Sequence, residues 1–174
     1  MMADHVTYGL FGEPRVKLLS GDGRQLGKRV QDFPLASELA SSRLLVVLVD
    51  SDSNAVAACG IRSRFNVLVL YVEEGYRGRG LGTEVLVKTI DAARKHGLNF
   101  VTLSVASDNV AAYRIYSTEG FKELVHLRKR DLILMINPLN RKGWLVYEFL
   151  KGLCARLPNS FLASVHGWLY ERTV

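Results

Sequence analysis

Only two cysteines, Cys59 and Cys154, occur among the 174 residues. That rules out a disulfide framework, so both are expected to be buried small hydrophobes of a reducing, cytoplasmic compartment. No basic start followed by an apolar run marks a secretory leader, and none is expected. No stretch reaches the roughly 18 apolar residues of a membrane span, so no transmembrane segment is expected either. Internal repeats and low-complexity segments are missing. What is present is ordinary globular chemistry: 48% hydrophobic and 23% charged residues are far from a disordered tail. The length fits one domain with a small appendage and is enough to bury a sizeable core. Lys and Arg number 23 against 17 Asp and Glu, a net +6. That balance suits phosphate-bearing partners. The sequence shows no aromatic–basic interleaving of an RNA module, so no nucleic acid partner is expected.

The first 40 residues read poorly. His5 to Phe11 has the makings of a short strand, Ser20 to Lys28 reads as turn or loop, and Phe33 to Ser42 as one or two helical turns with Leu35 and Leu39 on one face. From Leu44 the pattern sharpens. Leu44 to Val49 and Ala55 to Ile61 flank a polar Asp-Ser-Asp-Ser-Asn turn, which predicts an antiparallel hairpin. Asn66 to Val72 is a third apolar run, of the kind that fits a strand covered on both faces. Leu81, Val85, Leu86, Thr89, Ile90 and Ala93 recur at helical spacing up to Gly97. Phe100 to Val105 predicts a fourth strand. Ser107-Asp108-Asn109 offers a cap to a helix from Val110 to Glu119. Lys122 to Arg128 and Leu132 to Ile136 predict two closing strands around a basic turn. This order implies an α+β fold with a mixed sheet and helices on its faces.

Between the third strand and the first long helix lies Arg77-Gly78-Arg79-Gly80-Leu81-Gly82. The start of a helix leaves about four N–H groups without partners and carries partial positive charge. Glycines let the backbone approach an anion closely, so a pyrophosphate is the natural occupant. No Gly-Lys-Ser/Thr follows, which excludes a P-loop. The Gly-x-Gly-x-Gly spacing is not the dinucleotide fingerprint.

The spacing from Arg77, Arg-x-x-Gly-x-Gly, resembles the acyl-CoA loop of the GCN5-related N-acetyltransferase (GNAT) superfamily. One helix and one strand later, Asn109 to Phe121 matches that family's Asn-x-x-Ala-x-x-(apolar)-Tyr-x-x-x-Gly-Phe at every position. The resemblance implies a three-layer α/β/α arrangement with a mostly antiparallel sheet. It implies a GNAT domain over residues 1–136, with its core at 44–136; the tail, 137–174, lies outside the resemblance and its spacing reads as a helical C-terminal extension. The implied cofactor is acetyl-CoA, used as a co-substrate. The implied reaction is transfer of its acetyl group to a primary amine by direct attack in a ternary complex.

The resemblance also carries residue roles. Backbone groups of Leu70, Tyr71 and Val72 would pair with the pantetheine arm, and the Val72 N–H would polarise the thioester carbonyl. Arg77, Gly78, Arg79, Gly80, Leu81, Gly82 and Thr83 would hold the pyrophosphate. Asn109 would reach the cofactor arm, and Tyr116 would protonate the leaving thiolate as general acid. A charged amine must lose a proton before it attacks. Relatives that acetylate protein α-amines often carry a Glu where this chain has Ser104, which cannot act as a base. Glu73 and Glu74 are the nearest carboxylates along the chain, with Glu73 working through water. His96 and His126 are further options, and proximity without a base is another.

The resemblance implies that the acceptor is an amine-bearing small molecule or protein. The resemblance puts the turn Arg128-Lys129-Arg130 near the acceptor site, where three cations would favour an acceptor carrying carboxylate or phosphate over a polyamine; the other reading of the turn is a solvated hairpin tip. In the tail, Val146, Phe149, Leu150, Leu153 and Leu157, then Phe161, Leu162, Val165, Trp168 and Leu169, predict a helical hairpin with one apolar face per arm. Three readings of it stand: a cover over the acceptor cleft, a homodimer contact through the C-terminal helices, or an interfacial helix on a membrane. Two readings compete with an acetyltransferase. One is a catalytically silent CoA-binding regulatory module, and the other is a transferase of longer acyl groups.

Overall fold

The computed structural model of the chain describes residues 5–7, 16–62, 65–162 and 164. They fall into two compact units, one drawn from Met1–Ser63 and Leu68–Ala93, the other from Arg64–Val67 and Arg94–Val174.

The first unit holds five strands: β1 (His5–Thr7), β2 (Val16–Gly21), β3 (Leu44–Val49), β4 (Ala55–Ile61) and β5 (Leu68–Val72). They form one antiparallel sheet in chain order. All six residues of β3 are buried, which is why its apolar run shows no alternation. β3 and β4 make the expected hairpin, with Leu44 opposite Ile61. Asp50 organises its turn: Oδ1 accepts the N–H groups of Asp52 (3.0 Å) and Asn54 (2.9 Å).

The N-terminal part departs from the loop expected over Ser20 to Lys28. β2 runs to Gly21, Asp22 then caps α1 (Gly23–Leu26), and a 3₁₀ turn follows at Gly27–Val30. The cap is an Asp22 Oδ1 that accepts the Gln25 N–H at 2.9 Å. Gly23 is there for clearance rather than for a turn, since a Cβ would collide with the carbonyl of Ala40 in α2 (Ala36–Ala40). Leu39 of α2 is fully buried and Leu35 packs beside it, on the core of Leu26, Val30, Leu45 and Val47. Of the strand expected at His5 to Phe11, β1 covers the first three residues, and Tyr8 to Phe11 lie outside the described ones.

α3 (Leu81–Lys95) buries Leu81, Val85, Leu86, Thr89, Ile90 and Ala93, the six residues its periodicity predicts. Gly97 ends it at φ 72°. Cys59 of β4 is fully buried, Cys154 is half-buried, and both are free thiols. Burial pushes the Cys59 thiol up to about 12, against a smaller opposing effect of the hydrogen bond from Thr89. β5 is shorter and barer than expected. Only Leu68 is buried, while Val69 to Val72 are half-buried, because β5 is the last strand of its sheet.

The second unit holds β6 (Phe100–Ala106), β7 (Lys122–Leu127) and β8 (Leu132–Pro138), antiparallel in the order β6-β8-β7. The mixed character expected of a single sheet reduces, among the described residues, to one isolated parallel bridge, Val67 to Thr102. α4 (Val110–Thr118) follows β6, and α5 (Arg141–Arg156) packs on β7 and β8.

The packed face of α5 differs from the expected one. Gly143 and Tyr147 are its buried residues, whereas Phe149 and Leu153 are exposed. Gly143 fits because a Cβ there would collide with the carbonyl of Asn99. The expected break at Pro158 is present, and the chain turns helical again as Phe161 and Leu162 donate to the Pro158 carbonyl (3.0 and 3.1 Å). Val165, Trp168 and Leu169 of the expected second arm lie outside the described residues.

Candidate active site

The glycine segment stands where the sequence places it, between β5 and α3. A 3₁₀ turn at Glu74–Tyr76 leads in. Gly78 and Gly80 then take φ values of 76° and 78°, and a Cβ on either would meet nothing within 4 Å. Their glycines therefore answer a backbone requirement, not crowding. At Gly82 a Cβ would lie 3.3 Å from Val72 Cγ2, so the loop sits tightly on the end of β5. The ladder of α3 opens with the Glu84 N–H donating to the Gly80 carbonyl at 3.0 Å. The N–H groups of Leu81, Gly82 and Thr83 come before it and have no acceptor within the helix. They form a donor set of partial positive charge at the helix start, suited to an anion.

The two arginines of the motif are held differently. Arg77 donates from Nε to the Val72 carbonyl at 3.1 Å, with its guanidinium 5.9 Å from the centroid of the Tyr71 ring. Arg79 lies over the Tyr76 ring at 5.3 Å. Tyr76 is itself braced, its hydroxyl donating to Asp50 Oδ2 at 3.1 Å. That bond is the main reason the Tyr76 hydroxyl is held above its ordinary value. Asp50 is held below its own: desolvation raises it, but donors from Asn54, Tyr76 and Asp52 outweigh that. The hairpin turn and the glycine loop are thus joined through one carboxylate. Nothing local in the chain marks this pairing, since Asp50 and Tyr76 are 26 residues apart.

The edge of β5 can be read from its register. Glu73 N–H donates to the Val56 carbonyl at 2.9 Å, so Glu73 and Val56 are a hydrogen-bonded pair. Two residues back, Tyr71 opposite Ala58 also turns its backbone groups toward β4. Leu70 and Val72 turn theirs away from β4. Of the three residues expected to offer backbone groups, Tyr71 therefore does not. Its side chain instead packs on Phe33 with ring centroids 4.7 Å apart, and its hydroxyl donates to Glu73 Oε2 at 3.5 Å. The Val72 carbonyl accepts from Arg77 Nε, and by the same register the Val72 N–H points away from β4. Glu84, unweighed in the sequence, carries an oxygen, Oε1, that is buried without a hydrogen-bond partner. An unsatisfied buried acceptor costs about 1–3 kcal/mol, so this atom calls for a donor.

In the second unit, Asn109 caps α4. Its Oδ1 accepts the Ala112 N–H at 3.1 Å, which leaves the side-chain amide as its group for a ligand. Tyr116 is half-buried with its ring 5.7 Å from that of Phe121. The Phe121 N–H donates to the Tyr116 carbonyl at 3.0 Å, and Gly120, at φ 92°, makes the turn between them. Tyr113 has a different setting: a hydrogen bond with Glu123 is the main cause of the raised value of its hydroxyl. The cations Arg128, Lys129 and Arg130 are exposed on a 3₁₀ turn. Asp131 closes that turn in the left-handed region at φ 49°, and its carbonyl accepts the Ser107 N–H at 2.8 Å. The basic turn is thereby tied to the segment that leads into Asn109. His96 and His126 are exposed, and Ser104 is half-buried in β6. Among the described residues no cluster of His, Cys, Asp and Glu could hold a metal ion.

A glycine loop that opens onto a helix start at the end of a strand, in an α+β fold, is a setting suited to an anionic ligand. The model of the acetyltransferase (GNAT) family matches residues 18–121, more than half of the chain. The chain belongs to that family, whose members use acetyl-CoA. An uncharacterized N-acetyltransferase of Methanocaldococcus jannaschii is 33% identical over 78 residues, 45% of this chain and 34% of that protein. An L-methionine sulfoximine/L-methionine sulfone acetyltransferase of Salmonella typhimurium is 35% identical over 52 residues, 30% of each chain. The matches thus span about a third of the curated relatives. A GNAT-family acetyltransferase structure from Staphylococcus aureus Mu50 shares the fold at a TM-score of 0.56 and 17% identity. It covers 72% of this chain and 99% of its own. A spermidine/spermine N-acetyltransferase of Vibrio cholerae does so at 0.59 and 14%, covering 72% and 95%.

Proposed function

We propose that this protein is an acetyl-CoA-dependent N-acetyltransferase whose acceptor is a primary amine carrying an anionic group. The observation that carries the reading is the loop at Gly78–Thr83: two left-handed glycines deliver the chain into α3 with its first N–H groups unpaired. A diphosphate satisfies those donors and the helix dipole together. Arg79 adds a full charge, while Arg77, engaged with Val72, serves chiefly to shape the loop.

The acetyl-CoA supplies the activated acetyl group. The amine nitrogen attacks the thioester carbonyl carbon, a C–N bond forms and the C–S bond breaks. The Val72 N–H faces away from β4, where it stabilises the negative charge that develops on the carbonyl oxygen. The leaving sulfur takes its proton from the Tyr116 hydroxyl, which is restored by the second proton that the nitrogen sheds after attack. The amine gives up its proton through water, with Glu73 as the receiving carboxylate. Asn109 uses its free amide on the cofactor arm.

The anionic acceptor is supported by the exposed triplet Arg128-Lys129-Arg130, held to the Asn109 segment through Ser107 and Asp131. Three cations repel a polyamine and attract a carboxylate. The amino-acid-like substrates named for the Salmonella typhimurium relative are of that kind. Thiol release from acetyl-CoA tests the reading against a panel of amino acids, polyamines and peptides. Turnover confined to carboxylate-bearing amines supports it. CoA binding with no thiol release from any amine would identify a silent binding module instead, and preference for polyamines would refute the acceptor class.

A further inference from the structure

Among the described residues, α5 is the long helix that leaves an apolar face exposed. Gly143 and Tyr147 are buried on the β7–β8 side, while Leu145, Phe149 and Leu153 are 73%, 70% and 42% exposed. These three recur every four residues and so form one stripe along the helix. Cations end the stripe on both sides. Arg141 and Lys142 stand four and three residues before Leu145, and Arg156 stands three after Leu153, all of them exposed. Glu148 is the only acidic residue on α5.

We propose that this face of α5 docks on an anionic lipid surface. Large apolar side chains enter the headgroup–acyl boundary, and long cationic stems reach sideways to lipid phosphates and carboxylates. The charge pattern disfavours a second copy as the occupant. An antiparallel pairing centred on Phe149 sets Lys142 against Arg156 at both ends, and a parallel pairing sets each cation against its own copy. Either register brings the end cations together, which the antiparallel one offsets only in part by setting Glu148 beside Lys151 of the other copy, whereas an anionic bilayer attracts every cation of the helix. Among the described residues no helix is long and apolar enough to cross a membrane, so the contact is peripheral.

The test is sedimentation of the full chain with phosphatidylcholine vesicles, with and without about 30 mol% phosphatidylserine. The expected result is binding to the anionic vesicles alone, reversed by about 0.5 M NaCl. The Leu145→Glu/Phe149→Glu double variant should weaken it by at least about tenfold. Both substitutions are at exposed positions, and thermal unfolding checks that the fold is kept. No binding to anionic vesicles overturns the proposal, as does binding that the double variant leaves unchanged. So does concentration-dependent dimerisation in analytical ultracentrifugation that the double variant abolishes. Retention by soluble polyglutamate as strong as by vesicles would assign the face to an acidic polypeptide and also overturn it.

Discussion

Gly75 and Gly80 offer a controlled comparison within a single loop. A Cβ added at either meets nothing within 4 Å, so neither substitution by alanine creates a clash. They differ in backbone: Gly80 has φ 78°, while Gly75 lies in a 3₁₀ turn without positive φ. Holding an L-residue in the left-handed region costs about 1–2 kcal/mol. If the Gly80→Ala variant keeps the conformation, that cost lowers folding stability. If the loop relaxes, the carbonyl at this position no longer receives the Glu84 N–H, the helix start is displaced, and CoA affinity falls instead. Either way the losses in stability and affinity should sum to about 1–2 kcal/mol, roughly 5- to 30-fold if all is expressed in binding. Gly75→Ala should cost nothing, or add a few tenths of a kcal/mol by restricting the unfolded chain. Denaturant unfolding and calorimetric titration with CoA measure the two parts. Equal effects of the two substitutions, or none from Gly80→Ala, would refute the argument from backbone conformation.

Other consequences follow from single contacts. Tyr116→Phe should slow turnover by about 10²-fold or more while leaving the Kd for CoA within about twofold, as an acid role requires; equal losses of both would assign Tyr116 to binding or packing. Tyr76→Phe should weaken CoA binding through Arg79, and Asp50→Asn should do the same, with the double variant no worse than either alone. Because Asp50 is held below its ordinary value in the fold, its ionised form adds stability above the unfolded carboxylate range, and this is lost as pH falls through the folded value. Thermal unfolding between neutral and acid pH should show that loss in the wild type and less of it in Asp50→Asn. Cys59, buried with its thiol pushed up to about 12, should resist alkylation near pH 8 in the folded protein and react only on unfolding, as peptide mass mapping would show.

What could be read from the sequence was what depends on short-range order. The buried face of α3, the cap at Asn109 and the glycine loop are each set by residues a few positions apart, and spacing reveals them. The N-terminal part could not be read this way. Gly23 looks like a turn residue, but it is glycine because the Ala40 carbonyl approaches it from another element. α5 misled for a related reason: periodicity reports the apolar stripe of Phe149 and Leu153, while the packing uses Gly143 and Tyr147. In the site, the Asp50–Tyr76 brace and the outward turn of Val72 depend on long-range pairing and strand register. Neither leaves a local mark in the chain.

The account rests on the main-chain donors at Gly78–Thr83 holding a diphosphate. Calorimetric titration with coenzyme A and, separately, with pantetheine, which lacks that group, addresses this most directly. Tight binding of coenzyme A and no measurable heat with pantetheine is the predicted result. Equal affinity for both, or heat with neither, would contradict it.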